Sequence, residues 1–261
     1  MSGGGDAFKD RAFKDHFSGV ADHYAAARPE YPDALFDALA AVVPATARVW
    51  EPGCGSGQAT RGLAARFAHI HATEPSASQL AQHWAQPGSE RVSLAVEPAE
   101  RTAQADASVQ LVAVAQALHW FDRPRFFAQC QRVLAPGGVL AAWGYQDFLA
   151  PEGMAEPVAA FRARIEPHWP PERALVDAAY AGFDWPFPAL PAPVLWLEAE
   201  WSLVHFLRYL ASMSASARCR AETGDDPVAR HAPALAAAWG DPDEARTIQW
   251  PLFLHLRRKP A

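Results

Sequence analysis

The stretch RVWEPGCGSGQATRGLAARF, residues 48 to 67, sets three glycines within five positions, between a short apolar run and a helix-like segment. Glycine inside regular structure costs about 0.5–1 kcal/mol relative to alanine. Gly53, Gly55 and Gly57 therefore imply a tight turn whose backbone is closely approached. Glycines that follow a strand and open a helix leave the helix N-terminus facing a ligand. A dinucleotide fingerprint runs G-x-G-x-x-G, and here the third glycine comes one residue early. Glu51 stands just ahead of the loop, at the strand end. An acid there repels a pyrophosphate but can hydrogen-bond an ammonium group.

The rest of the first half alternates strands and helices. Strands are expected at 47–50, 70–74, 91–97, 109–117 and 139–146, with helices at 57–68, 76–85 and 123–135. VQLVAVAQA, residues 109 to 117, is nearly all apolar, as a strand buried on both faces should be. This alternation predicts an α/β fold with parallel strands joined by right-handed crossovers, helices on both faces, and a helical cap. Glu74 closes the second strand, where a carboxylate with two acceptor oxygens suits a ribose diol.

An amphipathic pattern at Phe13, Phe17, Val20, Ala21 and Tyr24 predicts a first helix, ended by Arg28-Pro29. A second helix starts near Pro32. Residues 1–34 read as an N-terminal helical lid, 35–148 as the ligand-binding α/β core, 149–194 as a cap insertion with helices near 154–165 and 171–182, and 195–261 as strands and helices that complete the sheet. The last strand carries Pro251, which belongs at a bulge or an edge.

Composition narrows the partners. The formal net charge is −6, which argues against a nucleic-acid backbone. The three cysteines, Cys54, Cys130 and Cys219, lie far apart with no metal-ligand spacing. They read as reduced thiols, and no apolar run reaches membrane-span length. A cytoplasmic protein with a small-molecule substrate, no nucleic acid, no membrane and no metal is the expectation. Oligomeric state is not legible.

A ribose, an amine and no phosphate describe S-adenosylmethionine (SAM). The chain resembles the class I SAM-dependent methyltransferases of the type 11 kind, and the resemblance implies their Rossmann-like fold, a mostly parallel seven-stranded sheet with an antiparallel last strand. VWEPGCGSGQAT resembles that family's first motif, ATEPS the acidic end of its second strand, VEPAERTAQADASVQLVAVAQALHWFD its third- and fourth-strand motifs, and RVLAPGGVLAAWGY the segment leading into its fifth strand. The opening FKDHFSGVADHYAAARPEYP is similar to a subgroup of small-molecule enzymes that includes trans-aconitate methyltransferase-like proteins.

The resemblance implies a set of roles. Glu51 binds the methionine ammonium, and Gly53, Cys54 and Gly55 touch the methionine moiety through backbone. Glu74 holds the ribose hydroxyls, and Ala99 and Glu100 flank the adenine. Ala115 and Gln116 face the ammonium and the methyl. Tyr24 and Arg28 close over the cofactor. Pro52 and Gln110 depart from the family pattern, the latter standing where an acid is usual.

Methyl transfer from a sulfonium is an in-line displacement, so a carboxylate acceptor needs no base whereas a hydroxyl or a protonated amine does. His119, in QALHWFD just past the fourth strand, is the candidate base. Trp120 and Phe121 either face the sulfonium or pack beneath the next helix. Trp143, Tyr145, Trp169, Trp185 and Trp196 are candidate pocket walls, and Arg218 and Arg220 candidate carboxylate ligands. The activity expected is methyl transfer to a small-molecule acceptor, on oxygen and possibly a carboxylate. A SAM-binding protein without transferase activity, a nicotinamide-dependent oxidoreductase, and a methyltransferase of protein or nucleic acid stand as alternatives.

Overall fold

The computed structural model describes residues 28–85 and 90–261. Tyr24, the first amphipathic helix and most of the 1–34 lid lie outside the described residues.

Five strands follow the expected alternation: β1 (Arg48–Pro52), β2 (His69–Thr73), β3 (Val92–Ala95), β4 (Val109–Ala115) and β5 (Leu134–Tyr145). All pair in parallel, in the order β3-β2-β1-β4-β5. The chain builds outward from β1 to β3, then returns to lay β4 against β1. That reversal opens a crevice at the carboxyl ends of β1 and β4, where ligands bind in folds of this kind.

Beyond β5 the sheet changes direction. β8 (Arg246–Arg258) runs antiparallel to β5, and β6 (Ala189–Leu190) and β7 (Leu195–Trp201) both pair with β8. The two-residue β6 makes the sheet eight-stranded. β8 changes partner along its length: 246–252 pairs with β7, and 252–258 with β5. Pro251, which has no N–H to donate, falls at that changeover.

Side chains alternate across the sheet as the pleat dictates. Val49, Leu111, Ala113, Ala141 and Trp143 enter one apolar layer with α1 (Asp33–Ala40) and α2 (Gln58–Arg66). Trp50, Val112, Val114, Leu140 and Ala142 enter the other, against Phe126, Phe127, Cys130 and Val133 of α4 (Arg123–Val133). Full burial of one such large side chain stabilises by about 1.5–3 kcal/mol. Gln110 replaces an acid without loss of order, because its Oε1 accepts the Arg48 amide at 2.8 Å and ties the start of β4 to that of β1.

Two parts of the helical layers differ from the sequence reading. The helix expected over 76–85 is a single turn, α3 (Ala77–Leu80). Past it, the amide of Trp84 turns back to the Ser56 carbonyl at 3.4 Å. The helical layer near β5 and β8 combines α5 (Ala155–Ile165) with α7 (Leu203–Ser212), α8 (Ser214–Thr223) and α9 (Pro227–Trp239), with the short α6 (Arg173–Asp177) on the opposite sheet face. The cap expected from 149–194 thus shares its helices with 195–261. α8 has no counterpart in the sequence reading.

α1 crosses α2 where Gly62 leaves room for the Phe36 ring; a Cβ at Gly62 would collide with three of its ring atoms. Replacing a helical glycine gains up to about 1 kcal/mol in propensity, but overpacking a filled site costs about 1–3 kcal/mol. Gly62→Val is expected to lower stability by about 1–3 kcal/mol in urea denaturation; an unchanged or raised midpoint would show that the two helices can part without cost.

Candidate active site at the β1–β4 crevice

The turn after β1 is fixed by one acceptor. The Thr73 carbonyl, at the end of β2, takes the amides of Gly53 at 2.7 Å and Cys54 at 3.1 Å. Gly53, Gly55 and Gly57 all have positive φ, which L side chains rarely adopt. Their surroundings differ. A Cβ at Gly53 would meet Ala117 at 3.0 Å and Phe121 at 3.1 Å. A Cβ at Gly57 would collide with the His83 imidazole. At Gly55 only the Gln79 Oε1 comes near, at 3.4 Å. Gly55 is the one of the three whose bare face is open to a ligand. The other two are bare because protein packs on them.

The two acids converge on this turn. Glu51 is 1 % exposed. Its Oε2 accepts the Thr60 hydroxyl at 2.6 Å, while its Oε1 is buried with no partner. Burial pushes its pKa up to about 8, against the downward pull of the Thr60 hydrogen bond. Glu74 is buried too; its Oε2 accepts the Gly55 amide and its Oε1 the Ser76 amide, each at 3.1 Å. The Cys54 thiol lies within the fields of both: burial first, then Glu51, then Glu74, raise its pKa.

Across the crevice, Gln116 ends β4 with φ +50°, a conformation that costs a non-glycine residue about 1–3 kcal/mol. Its side-chain amide is its anchor. Oε1 accepts the Tyr145 amide at 2.8 Å and Nε2 donates to the Tyr145 carbonyl at 3.3 Å. The Gln116 side chain is therefore bound to the β5 end rather than presented to a ligand, and Ala115 sits half-buried beside it.

His119 lies in a 3-10 turn, Leu118–Trp120, and is buried. Its Nδ1 is 3.0 Å from the Tyr180 hydroxyl. We assign the Tyr180 hydroxyl as the donor of that contact and the ring proton to Nε2. Burial first, and the Arg173 charge second, lower the His119 pKa to about 3. The imidazole is held neutral.

The remaining expected residues scatter more widely. Ala99 is buried in the α4-side core. Glu100 accepts the Asp122 amide at 2.8 Å and joins the loop after β3 to the start of α4. Arg28 donates to the Tyr145 hydroxyl and to the Ser212 carbonyl, each at 3.1 Å, and lies 5.6 Å over the Tyr209 ring. Phe121 packs on Phe126 and on the glycine turn, whereas Trp120 is 38 % exposed. Trp143 is fully buried in the core, Trp169 lies under Arg173 and Trp185 under Arg257. Trp196 is exposed on β7, and Arg220 pairs with Asp226 at 3.2 Å. Thr60 reaches Glu51, and His83 reaches Thr60, without either having been expected. Thr60 carries a faint signal, a polar residue one turn into the helix that the glycines open. His83 carries none.

A family model described as a methyltransferase domain matches residues 50–142, which contain both acids and the glycine turn. A protein of Dictyostelium discoideum assigned as a methyltransferase is 26% identical over 255 residues, 95% of this chain and 96% of its own length. A Saccharomyces cerevisiae protein assigned as an S-adenosylmethionine-dependent methyltransferase is 28% identical over 129 residues, 47% of this chain and 44% of its own. The solved structure of a protein from Anaeromyxobacter dehalogenans, assigned as a type II methyltransferase, is 42% identical with a TM-score of 0.82, covering 90% of this chain and 99% of that one. The chain is a class I SAM-dependent methyltransferase.

The residues of this methyltransferase fit its cofactor. A buried carboxylate oxygen without a partner suits a cation, Gly55 exposes bare backbone, and Glu74 brings a second carboxylate to the same turn. When bound, SAM supplies an electrophilic methyl group on a sulfonium. Among the described residues no helix is long and apolar enough to cross a membrane.

His119 also sets a pH dependence. Its pKa falls from the ordinary 6.5 to about 3 on folding, so the folded chain binds fewer protons than the unfolded chain between those values. The stability that His119 contributes is complete above pH 6.5 and is lost as pH falls toward 3, by up to about 1.4 kcal/mol per pH unit. Urea midpoints of the wild type and His119→Asn from pH 7 to 4 should show the shallower decline in the variant. Parallel slopes would mean the ring is not held neutral.

Proposed function

We propose that this methyltransferase methylates a small-molecule acceptor on oxygen, and that the acceptor is a carboxylate. The environment of His119 carries the reading. A useful general base has a pKa near the working pH, yet this ring at the β4 edge is buried, engaged by Tyr180 at Nδ1, and titrates near 3. An acceptor that must lose a proton finds no help there. A carboxylate is already ionised at neutral pH and needs only orientation along the line of the methyl–sulfur bond. His119 then serves as a neutral donor through Nε2. The likeness of the opening segment to trans-aconitate methyltransferase-like proteins points the same way.

In this reading Glu51 takes the methionine ammonium, with Gly53, Cys54 and Gly55 along the methionine through backbone. Glu74 takes the ribose diol while it braces Gly55. Ala99 and Glu100 border the adenine. Ala115 lines the methyl side, Gln116 fixes the β4–β5 edge behind it, and Arg28 and Tyr24 close the amino-acid end.

Two measurements test this. Assayed with SAM against panels of small carboxylic acids, alcohols and amines, the enzyme should turn over members of the acid panel; turnover confined to alcohols or amines would overturn the acceptor class. With the accepted acid, His119→Asn should keep kcat within about tenfold, whereas loss of a general base costs about 10²–10⁴-fold. Glu51 supplies a second prediction. With a pKa of about 8 it is mostly protonated at pH 7, and an arriving cation ionises it. Calorimetry in buffers of different ionisation enthalpy should find about one proton released per SAM bound at pH 7, and Glu51→Gln should abolish the release. Equal release by both proteins would remove Glu51 from the ammonium site.

A further inference from the structure

We propose that Thr60 and His83 are positioning residues for the cofactor's amino-acid end: His83 Nε2–H donates to the Thr60 hydroxyl, which donates to Glu51 Oε2 and leaves Oε1 to receive the ammonium. The proposal rests on the reading that Glu51 takes that group.

The donor order follows from the hydrogen bonds. The Ala85 amide donates to His83 Nδ1 at 3.1 Å. Nδ1 is therefore the acceptor nitrogen of a neutral ring, and the ring proton is on Nε2. Nε2 lies 3.0 Å from Thr60 Oγ1, and Oγ1 lies 2.6 Å from Glu51 Oε2. Thr60 has one hydroxyl proton, and with the imidazole as its donor that proton goes to the carboxylate. All three side chains are buried, at 0 % exposure for Thr60 and 1 % for Glu51 and His83.

The chain is shaped around this contact. α3 stops after one turn, so that the segment behind it folds back over the glycine turn with the Trp84 amide on Ser56. Gly57 has no side chain where the imidazole lies, so the early third glycine that sets this sequence apart from a dinucleotide fingerprint makes room for a histidine. The two Glu51 oxygens end up unlike: one is held by the relay and the other is buried and unpartnered. A carboxylate that must meet a cation in one orientation needs its rotation fixed beforehand. Burial lowers the His83 pKa, and among the described residues the other titratable groups coupled to this turn are Cys54, within it, and Glu74, just after β2.

The test uses S-adenosylhomocysteine, which carries the amino-acid end, and 5′-methylthioadenosine, which lacks it. Titration calorimetry on Thr60→Val and His83→Phe should show homocysteine-ligand affinity reduced about tenfold or more, the scale of one hydrogen bond to a charged group, with methylthioadenosine affinity within about twofold of wild type. Thr60→Ser should restore the affinity. Equal loss of both ligands would mean that the pair only shapes the turn and would overturn the proposal, as would wild-type affinity for both. Glu51→Gln separates the two readings. If it binds S-adenosylhomocysteine normally, the ammonium assignment itself fails. If it loses binding while Thr60→Val does not, only the relay fails. Should either variant not fold, nitrogen-15 spectra of wild-type His83 decide: protonated Nε2 and bare Nδ1, shifting on addition of S-adenosylhomocysteine, uphold the relay, and the opposite tautomer or an unmoved signal overturns it.

Discussion

A single carbonyl organises the ligand side of this sheet. Thr73 O accepts the first two amides beyond β1, so the glycine turn is tied to the end of the neighbouring strand before any ligand is considered. Everything polar at the crevice is arranged relative to that tie. The next residue in the chain, Glu74, reaches back to Gly55, and the residue two before the turn, Glu51, is sealed beneath it. Nearby, the Trp50 indole donates to the Thr73 hydroxyl at 3.1 Å, so the same threonine also fastens the β1 end on the opposite sheet face.

The two acids illustrate how one residue type meets two environments on neighbouring strands. Glu74 accepts backbone amides at both oxygens. Glu51 has one hydroxyl donor and an otherwise apolar burial, which favours its neutral form until a cation arrives. The difference matches the chemistry of their proposed partners, an uncharged diol on one side and an ammonium on the other.

Much of this was legible in the chain because local pattern and tertiary role agreed. Buried parallel strands read as apolar runs, as 109–117 does where β4 (Val109–Ala115) forms. The glycines announced a tight turn, and both acids lie against it. What could not be read is what depends on contacts distant in sequence. The 76–85 segment has a helical pattern, but His83 is recruited to Thr60 twenty-three residues earlier and the helix gives way. α8 presents no strong apolar stripe, since Ser214–Thr223 mixes alanine, arginine and serine around the buried Cys219. The Gln116 side chain reads as a ligand contact in the sequence and turns out to be a clasp on β5, because its partners are backbone groups of Tyr145. For His119, pattern alone placed it at the strand edge, but only Tyr180, sixty-one residues on, shows which of its nitrogens is engaged.

The partner exchange along β8 carries a consequence for how the molecule assembles. β6 and β7 have no neighbour in the sheet except β8, and about a hundred residues separate the end of β5 from the strand that joins it. Loops of that span close slowly, since their entropy is lost before the contacts that repay it form. The five parallel strands can therefore order first, crevice included, while the antiparallel edge and its aromatic layer wait for one distant strand. The crevice thus rests on segments near one another in the chain, and the antiparallel edge on a single long-range closure.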